Sequence, residues 1–175
     1  GYPNLAWLCR DQPESAARQL SDAMAEWGDQ HPYHVQHYFD LVARVNISLY
    51  TGDWASAHLA VEESWTSLKT SMVQRIQFVH LDLHSLRIRA ALGLLSEKPS
   101  NAGELFKSIR RDLRVLKRGG MPWTRAQALL FEAILSLYTA DDPSTLAAAE
   151  YAAWQDAIEA LDQSELVLFA AAARI

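Results

Sequence analysis

Ser48-Leu49-Tyr50-Thr51-Gly52-Asp53 returns 88 residues later as Ser136-Leu137-Tyr138-Thr139-Ala140-Asp141. In each copy an apolar run of helical period reaches a Tyr-Thr pair, meets a small residue and restarts behind an aspartate. Glycine just past a helix end tolerates the left-handed conformation that closes the helix. Aspartate at the next N-cap accepts from free backbone N–H groups and opens another helix. The stretch therefore reads as a tight turn between two helices. Ala91-Leu92-Gly93-Leu94 stands halfway between the copies, in the corresponding place. Two intervals of about 44 residues describe a repeat of two helices.

Working outward, the 3.6-residue periodicity and its punctuation predict eight helical segments. The first spans Pro13 to Trp27, with Asp11 as cap and Gly28 as stop. The second runs from Tyr33 to Thr51, and Asp53 caps a third that reaches Ser71. A fourth covers Val73 to Ser96, and Lys98-Pro99-Ser100-Asn101 turns the chain. The fifth spans Ala102 to Arg118 before Gly119-Gly120, and the sixth Pro122 to Ala140. Asp142 with Pro143 opens a seventh, and Ser164 caps a short eighth. The gaps are short, which makes the helices antiparallel hairpins. Ala55, Ala57 and Ala60 after the turn let paired helices approach closely. The expectation is a single all-α domain over residues 1–175, an α-solenoid of about seven or eight helices whose hairpins stack.

Composition agrees with helix and narrows the function. Half of the 175 residues are hydrophobic, and only 7 Gly and 6 Pro are available for turns. One cysteine, Cys9, excludes an internal disulfide and a four-cysteine zinc site. A net charge of −5 disfavours general nucleic-acid binding. The longest apolar run, Leu166 to Ala173, falls far short of the ~20 residues of a membrane span. No signal peptide is visible, and a reducing, cytoplasmic setting is expected. The chain opens on Gly1-Tyr2-Pro3 and closes on Ala171-Ala172-Ala173-Arg174-Ile175 as if within a helix, which reads as a piece of a larger protein.

Several stretches resemble one known family. They are Asn4-Leu5-Ala6-Trp7-Leu8 with Asp11, Ala16-Ala17 and Trp27, then Val35-Gln36-His37-Tyr38 with Arg44 and the Leu49-to-Asp53 turn. Ala57, Trp65, Leu68, Ser71, Val73-Gln74-Arg75-Ile76-Gln77 and Arg87-Ile88-Arg89-Ala90-Ala91 continue the likeness, as do Met121-Pro122-Trp123 and Ala170 to Arg174. Together they resemble the C-terminal tetratricopeptide-like region of large bacterial kinases of the eukaryotic Ser/Thr type. The likeness covers most of the chain and rests on aromatic and turn positions. It implies an accessory helical domain for protein contacts or signal input, attached to a kinase.

The chain itself carries no legible catalytic site. His80-Leu81-Asp82-Leu83 echoes the kinase catalytic loop, but Arg87 replaces the metal-binding Asn and no Gly-rich loop is present. His80 and His84 share a helix face, and a zinc site would need His37 or Asp40 as a third ligand. The Glu of a His-Glu-x-x-His site is missing, and no metal or cofactor is expected. Gln77, His80, His84 and Arg87 instead form a polar stripe beside Ile76, Val79, Leu83, Leu86 and Ala90. Such a stripe either hydrogen-bonds across a helix pair or lines a groove. With His37, Asp40 and Arg44 from the second helix it would give a concave surface for a peptide with polar or charged side chains. Lys107, Arg110, Arg111, Arg114 and Lys117 form a basic face on the fifth helix, opposite Phe106, Ile109, Leu113 and Leu116. No aromatic platform accompanies it, so a solvated exterior or an acidic neighbouring domain fits better than nucleic acid. The six Trp are read as locks between hairpins.

Two function classes follow. The first is a non-catalytic protein-interaction or regulatory module of a Ser/Thr kinase-like signalling protein. The second is a ligand- or partner-sensing helical domain of a transcriptional regulator.

Overall fold

The computed structural model describes residues 4–27, 33–139 and 148–174. Among them there are nine α-helices and no strand: α1 (Leu5–Leu8), α2 (Pro13–Trp27), α3 (Val35–Tyr50), α4 (Trp54–Thr70), α5 (Gln77–Leu95), α6 (Ala102–Arg118), α7 (Pro122–Leu137), α8 (Ala148–Gln163) and α9 (Val167–Ala173). The stop at Gly28, the Asp142-Pro143 start and the Ala140-Asp141 end of the echo lie outside the described residues.

The α3–α4 turn forms as its residues require. Gly52 adopts φ 76°, and Asp53 accepts from the Ser56 N–H at 3.0 Å. Thr51 Oγ1 donates to the Ile47 carbonyl at 3.1 Å. The same device recurs where Ser96 Oγ donates to Gly93 O beyond α5, and where Thr139 Oγ1 donates to Ser136 O beyond α7.

Three differences from the sequence reading have local causes. The predicted fourth helix divides: Met72–Arg75 is a 3-10 turn, and Ile76 at ψ 111° breaks the path before α5 starts. Ile76 is therefore exposed rather than part of the apolar stripe. Asp11 does not cap α2. It sits at φ 57° and accepts the Tyr50 hydroxyl at 2.6 Å, tying the α1–α2 turn to the end of α3. Leu166, not Ser164, takes the N-cap position of α9.

The chain divides into two compact units, residues 1–100 and 101–175. In the first, Tyr38, Leu41 and Val45 of α3 pack with Val61, Trp65 and Leu68 of α4, and with Leu83, Leu86 and Ala90 of α5. Each fully buried side chain of this size contributes roughly 1.5–3 kcal/mol. Ala57 is fully buried at the seam, whereas Ala55 faces solvent. Trp54 lies over Gly93, where an added Cβ would come within 2.6 Å of its ring. Helices α3 and α5 run in the same direction: Tyr38 bonds Asp82 near their starts, and Asn46 bonds Arg89 further along both.

In the second unit α7 packs against both α6 and α8, and α8 against α9. Its core joins Ala126 and Leu130 with Ala157, Ile158 and Leu161, closed by Ala170 and Ala173. Trp154 Nε1 donates to the Ala173 carbonyl at 2.7 Å, holding α9 on α8.

Candidate interaction site

The polar residues of α3 divide between a helix cap and a groove. His37 Nδ1 accepts from the His34 backbone N–H at 3.0 Å, and its ring lies 5.0 Å from that of Tyr33. His37 is thus engaged at the start of α3. One turn later Asp40 pairs with Arg44 at 2.8 Å, with Arg44 nearly half exposed and Asp40 mostly covered. Burial raises the pKa of the Tyr33 hydroxyl, the Asp40 charge adds to the rise and Arg44 opposes it. Tyr33 therefore stays protonated beside the pair.

Asp40 and Arg44 edge a groove of about 470 Å³ between α2, α3 and α4. Leu20 and Met24 of α2, Ile47 of α3, and Leu59 and Glu63 of α4 line it. Leu59 is 58% exposed and leaves apolar surface open along the groove it lines. The arrangement is an apolar channel with a mixed-charge edge.

The α5 stripe lies elsewhere, against α4. Arg87 donates from Nε to Glu62 Oε1 at 2.8 Å and from Nη2 to Oε2 at 3.2 Å. Its guanidinium carbon lies 4.2 Å from the Trp65 ring centroid. The His84 ring meets Trp65 edge-on at 5.3 Å, and His80 meets His84 at 4.7 Å. His84 and Arg87 are buried, His80 is half-buried and Gln77 is exposed. Burial holds the pKa of His80 below its ordinary value, with His84 adding to the effect. His58 on α4 is lowered by burial as well, against the pull of Glu62. This cluster bridges two helices, and it does not share the groove that Asp40 and Arg44 edge. No group of three or more metal-ligating side chains occurs among the described residues, so neither His37 nor Asp40 completes the His80–His84 pair.

Asp82 of the kinase-like echo sits on helix α5 and accepts the Tyr38 hydroxyl at 2.7 Å. Burial raises its pKa, while that hydrogen bond and Arg89 oppose the rise. Arg89 in turn donates to Asn46 Oδ1 at 2.9 Å. Sequence reasoning missed this network, although its partners stand one repeat apart and the 44-residue interval could have pointed to them.

Lys107, Arg110, Arg111, Arg114 and Lys117 are all exposed on α6. Lys107 pairs with Glu104, Arg111 contacts Asp112 and Lys117 pairs with Glu132 of α7. Ile109, Leu113 and Leu116 are buried opposite them together with Leu105, while Phe106 is half-buried. Trp65 is the one buried tryptophan among those described; Trp7, Trp27, Trp54 and Trp123 are half-buried near helix ends, and half-buried Trp154 lies in the middle of α8. Among the described residues no helix is long and apolar enough to cross a membrane. No protein-family model, curated protein or solved structure matches the chain.

Proposed function

We propose that this chain is a non-catalytic protein-interaction module, a short α-solenoid of tetratricopeptide-like hairpins, serving as the regulatory helical region of a bacterial Ser/Thr kinase-like signalling protein in the cytoplasm. The observation that carries the reading is the groove between α2, α3 and α4. Its apolar walls can desolvate one or two hydrophobic side chains of a peptide, and exposed Leu59 adds apolar surface for that contact. The Asp40–Arg44 pair and Glu63 at the edge set the direction of the peptide more than its affinity. The parallel course of α3 and α5, one repeat apart, supports the stacked-hairpin reading.

The test is selection of peptides on the wild-type chain from a random display library, followed by titration against Leu59→Asp and Arg44→Glu. Leu59→Asp, at an exposed position, should melt like the wild type, and Arg44→Glu, which sets a second carboxylate beside Asp40, should melt slightly lower. The expected result is at least tenfold weaker binding by Leu59→Asp and a changed charge preference in Arg44→Glu. Selected peptides that bind both variants with wild-type affinity would sink the groove.

A further inference from the structure

The second unit is split in charge. Between Asn101 and Arg125 seven basic residues stand against two acidic ones, and from Ala126 to Ile175 eight acidic residues stand against Arg174 alone. The fold sorts these charges onto two exposed helix faces. On α6 the stripe is Lys107, Arg110, Arg111, Arg114 and Arg118, at spacings of three and four, all exposed. Among the described residues Arg110, Arg114 and Arg118 carry no ion pair. On α8 the stripe is Asp156, Glu159 and Asp162, also exposed. Glu159 accepts from Gln163, Asp162 pairs with Arg174, and Asp156 carries no ion pair among the described residues. Tyr151, 59% exposed, and Ala152 continue that surface one turn towards the start of α8.

Helix α7 packs on both α6 and α8, which make no comparable pairing with each other. One copy therefore cannot bring its basic stripe onto its own acidic one. A neighbouring copy can.

We propose that this chain self-associates through unlike faces, the basic α6 face of one copy docking on the acidic α8 face of another. Like charges prevent either face from pairing with itself, so every contact joins α6 of one copy to α8 of another; made reciprocally it closes a two-fold dimer, and made once it leaves the outer faces open to further copies. At 1.5 Å rise per residue the α6 stripe runs about 16 Å and covers the shorter α8 stripe in several registers. Ala152 permits close approach there, and the Tyr151 ring offers a face to an arginine. A nucleic acid fits less well: the exposed α6 face carries no aromatic residue, and the same unit turns an acidic helix to solvent. Exposed ion pairs are individually weak and screened by salt, so the association depends on concentration and ionic strength.

Sedimentation velocity of the 175-residue chain tests this at low salt and at about 0.5 M salt, where the Debye length is only a few ångström. The expected result is a sedimentation coefficient that climbs with concentration at low salt and returns to the monomer value at high salt. Arg110→Glu with Arg114→Glu, and separately Asp156→Lys with Glu159→Lys, should each stay monomeric at low salt. Mixed one to one, the two double variants should associate again, because each then presents a face complementary to the other. Circular dichroism checks that they fold, and the milder pairs Arg110→Gln with Arg114→Gln and Asp156→Asn with Glu159→Asn should weaken association in the same sense. A wild type that is monomeric throughout, an oligomer indifferent to salt, or a mixture that stays monomeric overturns the proposal. So does duplex DNA binding that the α6 reversal abolishes in a wild type that never self-associates.

Discussion

The Tyr38 hydroxyl donates to Asp82 Oδ2 at 2.7 Å, joining α3 to α5 across 44 residues of sequence. Burial favours the neutral carboxyl, so the pKa of Asp82 in the folded chain lies above its unfolded value of about 3.9. A raised folded pKa contributes stability that is full below the unfolded value and is lost as pH rises through the folded one. Asparagine keeps the acceptor and cannot ionise. The stability difference between wild type and Asp82→Asn should therefore move in the variant's favour as pH rises from about 4 towards 7, read from urea midpoints. A difference that stays constant with pH would show that Asp82 titrates like an exposed carboxylate.

Two imidazoles, His58 of α4 and His80 of α5, act in the opposite sense. His58 and His80 are both held below their ordinary pKa by burial, and the Arg87 charge adds to the effect at His58. A depressed folded pKa gives stability that is present above the unfolded value, about 6.5, and is lost as pH falls through the folded value. From pH 7 to pH 5 the wild type should lose thermal stability relative to the double variant His58→Gln with His80→Gln. An equally steep fall in the double variant would place the acid sensitivity elsewhere.

Arg87 is needed for its shape as well as its charge. Its side chain is 9% exposed, grips both Glu62 oxygens and lies over Trp65. Arg87→Ala should cost about 1.5–3 kcal/mol, the range for hydrogen bonds to a charged group, because Glu62 is partly exposed and recovers water. Arg87→Lys keeps the charge but loses the bidentate fork, and should recover less than half of that loss in chemical unfolding. Full recovery by lysine would reduce the contact to simple charge pairing.

Gly93 makes room for Trp54. Alanine in mid-helix normally gains up to about 1 kcal/mol over glycine. Here its Cβ would lie 2.6 Å from the Trp54 ring, and overpacking of that kind costs about 1–3 kcal/mol. Gly93→Ala should destabilise the wild type yet stabilise a Trp54→Ala background, a change of sign that a double-mutant cycle measures. The same sign in both backgrounds would mean that the ring moves aside freely.

The sequence by itself determined the local grammar of the chain. Gly52-Asp53 could be read as a turn because left-handed backbone and N-capping depend on one or two adjacent residues, and both are present. The limits of α6, Ala102 to Arg118, were legible from Pro99 before it and Gly119-Gly120 after it, although Asn101 makes no side-chain capping bond, and its basic exterior was legible from periodicity. Periodicity also placed Gln77, His80, His84 and Arg87 on one face of a helix. It says which residues share a face and nothing about what meets that face. Helix α5 is buried around most of its circumference, so its polar stripe could not be told from a solvent-facing groove until α4 brought Glu62 and Trp65 against it. Ile76 looked like core because it is apolar and in register, but an extended backbone at that residue turned it outward. The tertiary structure alone decided that Asp40 and Arg44 edge a groove walled by α2, that Tyr38 meets Asp82, and that the charged faces of α6 and α8 flank α7. Each of these is a meeting of residues distant in sequence, set by how helices pack rather than by the pattern along any one of them.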